Sequence, residues 1–181
     1  TIAMGMGNPL EAGTYYVGVY DGSTASSYTL LSRGIGPGFA IPIRDLNFSG
    51  AGGSTNLTGL AAREAAYFRV LLPSNTPSWK IKLTATACES LLQLQQDYLP
   101  NIINGGTVAP ARGGKRIQQS GNEHFALLPF EGQSNIPAGT YYLAVVSEGV
   151  GPDPSQSRVG TGSSDYTLAS LGAVSVVDLG T

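Results

Sequence analysis

The string LEAGTYYVGVY at residues 10–20 returns as IPAGTYYLAVV at residues 136–146. Such self-similarity constrains a chain more than a single motif does, because both copies ask for the same local structure and the same kind of neighbours. Each copy leads to a second shared string, SSYTLLS at 26–32 and SSDYTLAS at 163–170. The repeated unit is therefore a pair of strands. A third match, AIPIRDL at 40–46 with AVSVVDL at 173–179, runs in register over seven positions. The separations are 126 residues for Gly13 and Gly139, 138 for Tyr28 and Tyr166, and 133 for Ala40 and Ala173, which fits one unit with loop insertions. The chain reads as the closing hairpin of one repeat (1–33), one complete repeat (34–172) and the first strand of a following repeat (173–181), a piece of a longer tandem array.

Composition narrows the class. With 25 glycines, 11 prolines and only 12% charged residues, short apolar runs are punctuated by turns, which suits a β-sandwich better than a helical bundle. One repeat is long enough for a single sizeable core, and two full domains do not fit. Net charge is −2 and the largest basic cluster is RGGKR at 112–116, so nucleic acid binding has no electrostatic footing. No run approaches the roughly 20 apolar residues of a membrane-spanning helix. The opening TIAMGMGNPLEAG has neither a basic nor an apolar signal region, and on the repeat reading any targeting sequence lies upstream. Cys88 is the one cysteine and excludes a disulfide within the chain. It reads as a buried apolar thiol, and stability must come from packing or a bound ion.

Period-2 alternation places the strands. In WKIKLTAT, Trp79, Ile81, Leu83 and Ala85 share one face. Phe68, Val70 and Leu72 alternate with Tyr67, Arg69 and Leu71, and Pro73-Ser74-Asn75-Thr76-Pro77 reads as the turn of a hairpin to the next strand. Residues 14–20 and 140–146 are further strands, each closing its repeat as a hairpin with the YTL segment that follows. A core of Phe68, Val70, Trp79, Ile81, Leu83, Leu143, Val145 and Leu168 is expected. ACESLLQLQQDYL at 87–99 carries good helix formers but reads as a strand through Leu92 and Leu94, and TGLAAREAA at 58–66 allows about two helical turns. Residues 102–116 lack periodicity and read as a long exposed loop.

The succession of YFRVLLP (67–73), WKIKLT (79–84), a Leu-Gln segment ending in DYLPN (97–101), IPAGTYYLAVV and SSDYTLAS resembles the bacterial pre-peptidase C-terminal (PPC) domain family, in tandem copies. The resemblance covers residues 45–172, and residues 10–33 match the closing part of a second copy. It implies an all-β, antiparallel jelly-roll-like β-sandwich of about eight strands attached to secreted enzymes or surface proteins, with no catalysis of its own. Relatives include collagen-binding modules, some of which bind calcium near their first strand. In that region this chain offers Asp45 and Asn47, with Glu64 further on, too sparse a set for a hard oxygen-ligand site. No metal site, cofactor site or catalytic residue is assigned, and the ligand is left open. Asp153 and Asp165 read as turn formers in the loop joining the last two strands.

An enzyme fits poorly. His124 is the one histidine, so a histidine-rich zinc site is excluded and any Ser-His-Asp set must use it. In NEHFALL alternation puts Phe125 and Leu127 on one face and His124 with Ala126 on the other, an ordinary strand pattern. Cys88 with His124 makes a dyad only if the fold joins two strands. Gly52-Gly53 and Gly113-Gly114 lack the strand-to-helix context of a phosphate loop. Asn47-Phe48-Ser49 and Asn56-Leu57-Thr58 match glycosylation sequons that a bacterial source leaves idle. The expected function is a non-catalytic structural or adhesive repeat of a large secreted or cell-surface protein, partnered by other repeats or neighbouring copies. The alternative is an accessory module holding a secreted hydrolase on an extracellular polymer, with Tyr16, Tyr20, Tyr98 and Tyr142 as candidate aromatics.

Overall fold

The computed structural model describes residues 13–19, 27–30, 32, 41–62, 64–100, 115–117, 121–150 and 161–175. Within them the chain forms nine strands: β1 (Ile43–Leu46), β2 (Ser54–Ala61), β3 (Ala65–Leu72), β4 (Trp79–Ala87), β5 (Glu89–Gln96), β6 (Lys115–Ile117), β7 (Glu123–Leu127), β8 (Gly139–Gly149) and β9 (Ser163–Ser170). They make a five-stranded sheet in the order β1-β3-β8-β5-β6 and a four-stranded sheet in the order β2-β9-β4-β7. The expected β-sandwich is what forms. One pair departs from the antiparallel rule: β1 lies parallel to β3, with Ile43 opposite Tyr67 and Leu46 opposite Val70. The chain crosses to the other sheet as β2 before returning as β3, and such a crossover delivers the strand in the same direction.

The core is the space between the sheets. All eight expected core residues are fully buried there, joined by Leu46, Leu92, Leu94, Phe125, Ile136, Tyr141 and Tyr166. Trp79 meets Tyr141 edge to face at 5.5 Å between ring centroids, an arrangement aromatic quadrupoles favour. Two buried hydroxyls between the sheets work in chains, while those of Ser90 and Tyr166 have no partner among the described residues. Trp79 Nε1 donates to Ser170 Oγ (2.8 Å), which donates to the Phe48 carbonyl (2.6 Å). Ser164 Oγ donates to the Glu89 carbonyl (2.8 Å), leaving Ser147 Oγ to donate to Ser164 (2.7 Å).

Neither expected hairpin forms. β3 and β4 belong to different sheets, and so do β8 and β9. Their apolar faces point at each other across the core, so the connections are arches spanning the roughly 10 Å between sheets. In the first arch Thr76 Oγ1 donates to the Pro73 carbonyl (2.7 Å), and the Thr76 carbonyl accepts from Ile136 N (2.8 Å). Residues 151–160 of the second connection lie outside the described residues, and Val150 and Thr161 on either side form an isolated bridge.

Three local expectations also give way to sheet pairing. Residues 58–61 and 65–66 are strand and not helix, because Leu60 pairs with Ser164 and Ala65 with Val146. Lys115 and Arg116 are not loop but part of β6, opposite Leu94 and Gln93. Residues 101–114 lie outside the described residues. Residues 14–19 and 27–30 carry no strand among the described residues. The strand over Leu92 and Leu94 is present as β5.

Candidate assembly interface

β1 is an edge strand of four residues, and it is fixed by more than its ladder. Arg69 on β3 donates from Nε to Asp45 Oδ1 (2.6 Å) and from its terminal nitrogen to Oδ2 (2.9 Å), a bidentate fork across the parallel pair. These hydrogen bonds hold the Asp45 carboxyl below the usual carboxylate range and raise Arg69 in turn. Both side chains are substantially exposed, 47% and 67%, so the pair sets register more than it adds stability. Leu46, next in line, turns inward and is buried in the main core.

The sparse calcium set is thereby dispersed. The Asp45 carboxylate is taken up by Arg69. Asn47 closes the following turn, its Nδ2 donating to the Ala51 carbonyl (2.5 Å) and its backbone N–H to the Gly52 carbonyl (2.9 Å). Gly50 (φ 69°) and Gly52 (φ 79°) let this turn close, and Gly53 lets the backbone of Ser170 approach, its carbonyl accepting from Ser170 N (2.7 Å). Glu64 precedes β3 five residues before Arg69, about 17 Å down the strand. Among the described residues no group of three or more His, Cys, Asp and Glu comes together.

The nucleophile candidates are separated too. His124 is exposed on β7 opposite Lys82, while Cys88 follows β4 six residues beyond Lys82, roughly 20 Å away. Phe125 and Leu127 face the core as alternation requires. Asp165 is not in the loop but on β9, where its Oδ1 accepts from Gly59 N (2.7 Å) at the bulge in β2. Asp153, Gly113, Gly114 and Tyr20 lie outside the described residues. Asn56, the second sequon position, accepts from Thr167 Oγ1 (2.7 Å). Tyr142 is half-buried between Arg69 and Gln95 in the ladder, Tyr98 follows β5, and Tyr16 lies well before the sandwich.

One feature of the five-stranded sheet has no signal in the sequence pattern. Its outer face is buried as well, at Tyr67, Ala144, Leu91, Gln93 and Gln95, with Ile41, Ile43, Ala65 and Leu99 packed around the first two. Neither glutamine amide has a hydrogen-bond partner among the described residues. Burial pushes the Tyr67 phenol well above its usual range.

The repeat copies outside the sandwich have the opposite exposure from their counterparts. Val17, Tyr28 and Leu30 are 60–67% exposed, and Tyr15 and Val19 about half exposed. The matching residues Tyr141, Leu143, Val145, Tyr166 and Leu168 are at most 4% exposed. They lie on β8 and β9, which have neighbours on both sides in their sheets. At the other end the chain leaves β9 pinned to the sandwich: Leu171 N donates to the Lys80 carbonyl, Gly172 N to the Phe48 carbonyl (3.0 Å) and Val174 N to Ser78 Oγ (2.8 Å).

No family model matches the chain, and no curated protein matches it. The solved structures similar to it include the pre-peptidase C-terminal domain of a collagenase from Bacillus anthracis, at 11% identity and TM-score 0.38 over 71% of this chain and 94% of that one. They also include a surface-associated copper-binding protein important in copper acquisition in Methylomicrobium album BG8, at 12% identity and TM-score 0.40 over 71% of this chain and 98% of that one.

Proposed function

We propose that this chain is a non-catalytic structural or adhesive repeat of a large secreted or cell-surface protein, assembled through its terminal strands with further sandwiches of its own kind. One observation carries the reading: residues 15–19 and 28–30 repeat parts of β8 and β9 in sequence, yet Tyr15, Val17, Val19, Tyr28 and Leu30 are exposed where their counterparts are buried. Apolar surface of this kind is stabilised by being covered. The separation of Cys88 from His124 supports a module without catalysis. Sedimentation of the intact chain beside one trimmed to residues 34–172 tests the assembly. Concentration-dependent association of the intact chain alone is expected, and two monomers, with the ends of the intact chain resisting proteolysis, would refute it.

A second reading, an accessory module that binds an extracellular polymer, has its support in the half-buried Tyr142 beside Arg69 and Gln95. A glycan array and a collagen pull-down separate the two, since the repeat reading expects neither ligand.

A further inference from the structure

The four edge strands of the sandwich are not equally protected. β1 carries Arg44 and Asp45, β6 carries Lys115 and Arg116, and β7 carries Glu123 and His124, in strands of three to five residues. Charge and shortness guard a sheet edge against a further strand. β2 has neither: its eight residues, Ser54–Ala61, include no charged residue and no proline. The bulge between Leu57 and Leu60 twists its far half and leaves Ser54 to Leu57 in regular pairing with β9. The Gly53 carbonyl accepts from Ser170 N on β9, so by alternation Ser54 and Asn56, both exposed, turn their N–H and C=O to the open edge. Across the core β6 meets β7, β5 meets β4, and β8 meets β9 and β2. Five strands therefore overhang four on the side of β1, and no strand among the described residues takes the place next to β2.

We propose that residues 14–19 of a second copy of this chain fill that place as an added antiparallel strand. The inference rests on the assembly through terminal strands proposed above and names the surface that receives one of them. Thr14-Tyr15-Tyr16-Val17-Gly18-Val19 is uncharged, and its apolar residues alternate as the core side of β2 requires. With Tyr16 opposite Asn56, Gly18 falls opposite Ser54, and these residues exchange backbone hydrogen bonds. Val17 and Tyr15 then come beside Thr55 and Leu57 on the core side, beneath the overhang. The donor is a second copy because within one chain both partners stay exposed: Tyr16 is 94% and Val17 66% exposed, and Ser54 and Asn56 face solvent. Each copy gives one strand and receives one, a head-to-tail contact that builds a ring or a filament.

Two experiments on the intact chain decide. Asn56→Pro removes an N–H of the open edge while sparing the β9 ladder, and Tyr16→Pro removes its counterpart in the donor. Each variant is expected to sediment as a monomer where wild type associates, and an equal mixture to give a one-to-one dimer, since one supplies an intact strand and the other an intact edge. Wild-type association of either variant, or a mixture that stays monomeric, overturns the inference and leaves the proposed function to another contact. The second experiment keeps the edge whole. In Cys88→Ser chains, Tyr16→Cys in one and Asn56→Cys in the other bring two Cα atoms to about 5.5 Å, inside the range a disulfide spans. A linked heterodimer is expected under mild oxidation, and none from Tyr16→Cys with Ala126→Cys on the exposed side of β7. Equal linking to both edges, or to neither, overturns the inference. With Tyr16→Cys and Asn56→Cys in one chain, linked oligomers are expected, and a closed monomer would make the chain its own donor and overturn it. A wild type that sediments as a monomer would sink the proposed function, whereas the disulfide traps a weak contact and decides this inference by itself.

Discussion

Trp79 on β4 and Ser170 at the end of β9 are joined by a buried hydrogen bond of 2.8 Å from the indole nitrogen to the hydroxyl. The same hydroxyl donates onward to the Phe48 carbonyl at the head of the β1–β2 turn, so a single oxygen ties three parts of the sandwich together. Ser170→Ala strands the indole N–H, while the Phe48 carbonyl keeps its bond from Gly172 N. A loss of about 1–3 kcal/mol is expected, read from denaturant midpoints. A loss below 0.5 kcal/mol would show that water replaces the hydroxyl.

Position within the alternation separates costly truncations from harmless ones. Ile81→Ala and Leu143→Ala remove fully buried side chains and should each cost about 2–5 kcal/mol. Leu71→Ala, on an exposed position of β3, should change stability by less than about 0.5 kcal/mol. Thermal melts of the three variants side by side check the inward and outward faces.

The pH limits of stability follow from two kinds of group. Asp45 has its folded value depressed by Arg69. Its contribution is present above the unfolded value near 4 and is lost as pH falls through the depressed one. Tyr141 is pushed up to about 12 chiefly by burial, and Tyr67 and Tyr166 are raised by the same cause. Their contribution is complete below the unfolded value near 10 and is lost as pH climbs through the raised ones. Arg69→Met should flatten part of the acid limb of stability against pH, and Tyr141→Phe part of the alkaline limb. Unchanged limbs in these variants would refute the assignment.

His124→Ala should fold as wild type, within about 0.5 kcal/mol, because the imidazole is exposed on β7. Purified wild type should turn over no peptidase or glycosidase substrate. Turnover that disappears in His124→Ala would overturn the non-catalytic reading.

The sequence pattern carried the core because a strand with one wet face must alternate: Trp79, Ile81 and Leu83 could be placed by period alone. β5 was harder, since Leu91, Gln93 and Gln95 are buried on one face and Leu92 and Leu94 on the other, which erases the alternation and leaves a run that also suits a helix. The partner sheet of each strand was illegible. Pro73 to Pro77 reads alike as a hairpin turn or as an arch, and the difference is decided by β8 and β9, which arrive about 65–100 residues later. Long-range polar pairs were hidden for the same reason. Nothing local in Asp45 announces Arg69, or in Asp165 the amide of Gly59, 106 residues away.

The last two strands to be made are the middle strands. β8 joins β3 to β5, and β9 joins β2 to β4, so the five-stranded sheet is continuous only once β8 is complete at Gly149 and the four-stranded sheet only once β9 is complete at Ser170. During synthesis a ribosome extends a chain at about 5–20 residues per second. For most of one repeat's synthesis, then, β2 to β5 have no ladder among themselves, and the pairs open to them are β1 with β3, β5 with β6 and β4 with β7. Closure of both sheets therefore waits for the final thirty or so residues of the unit, and a chain cut short before β8 is expected to be sensitive to proteases.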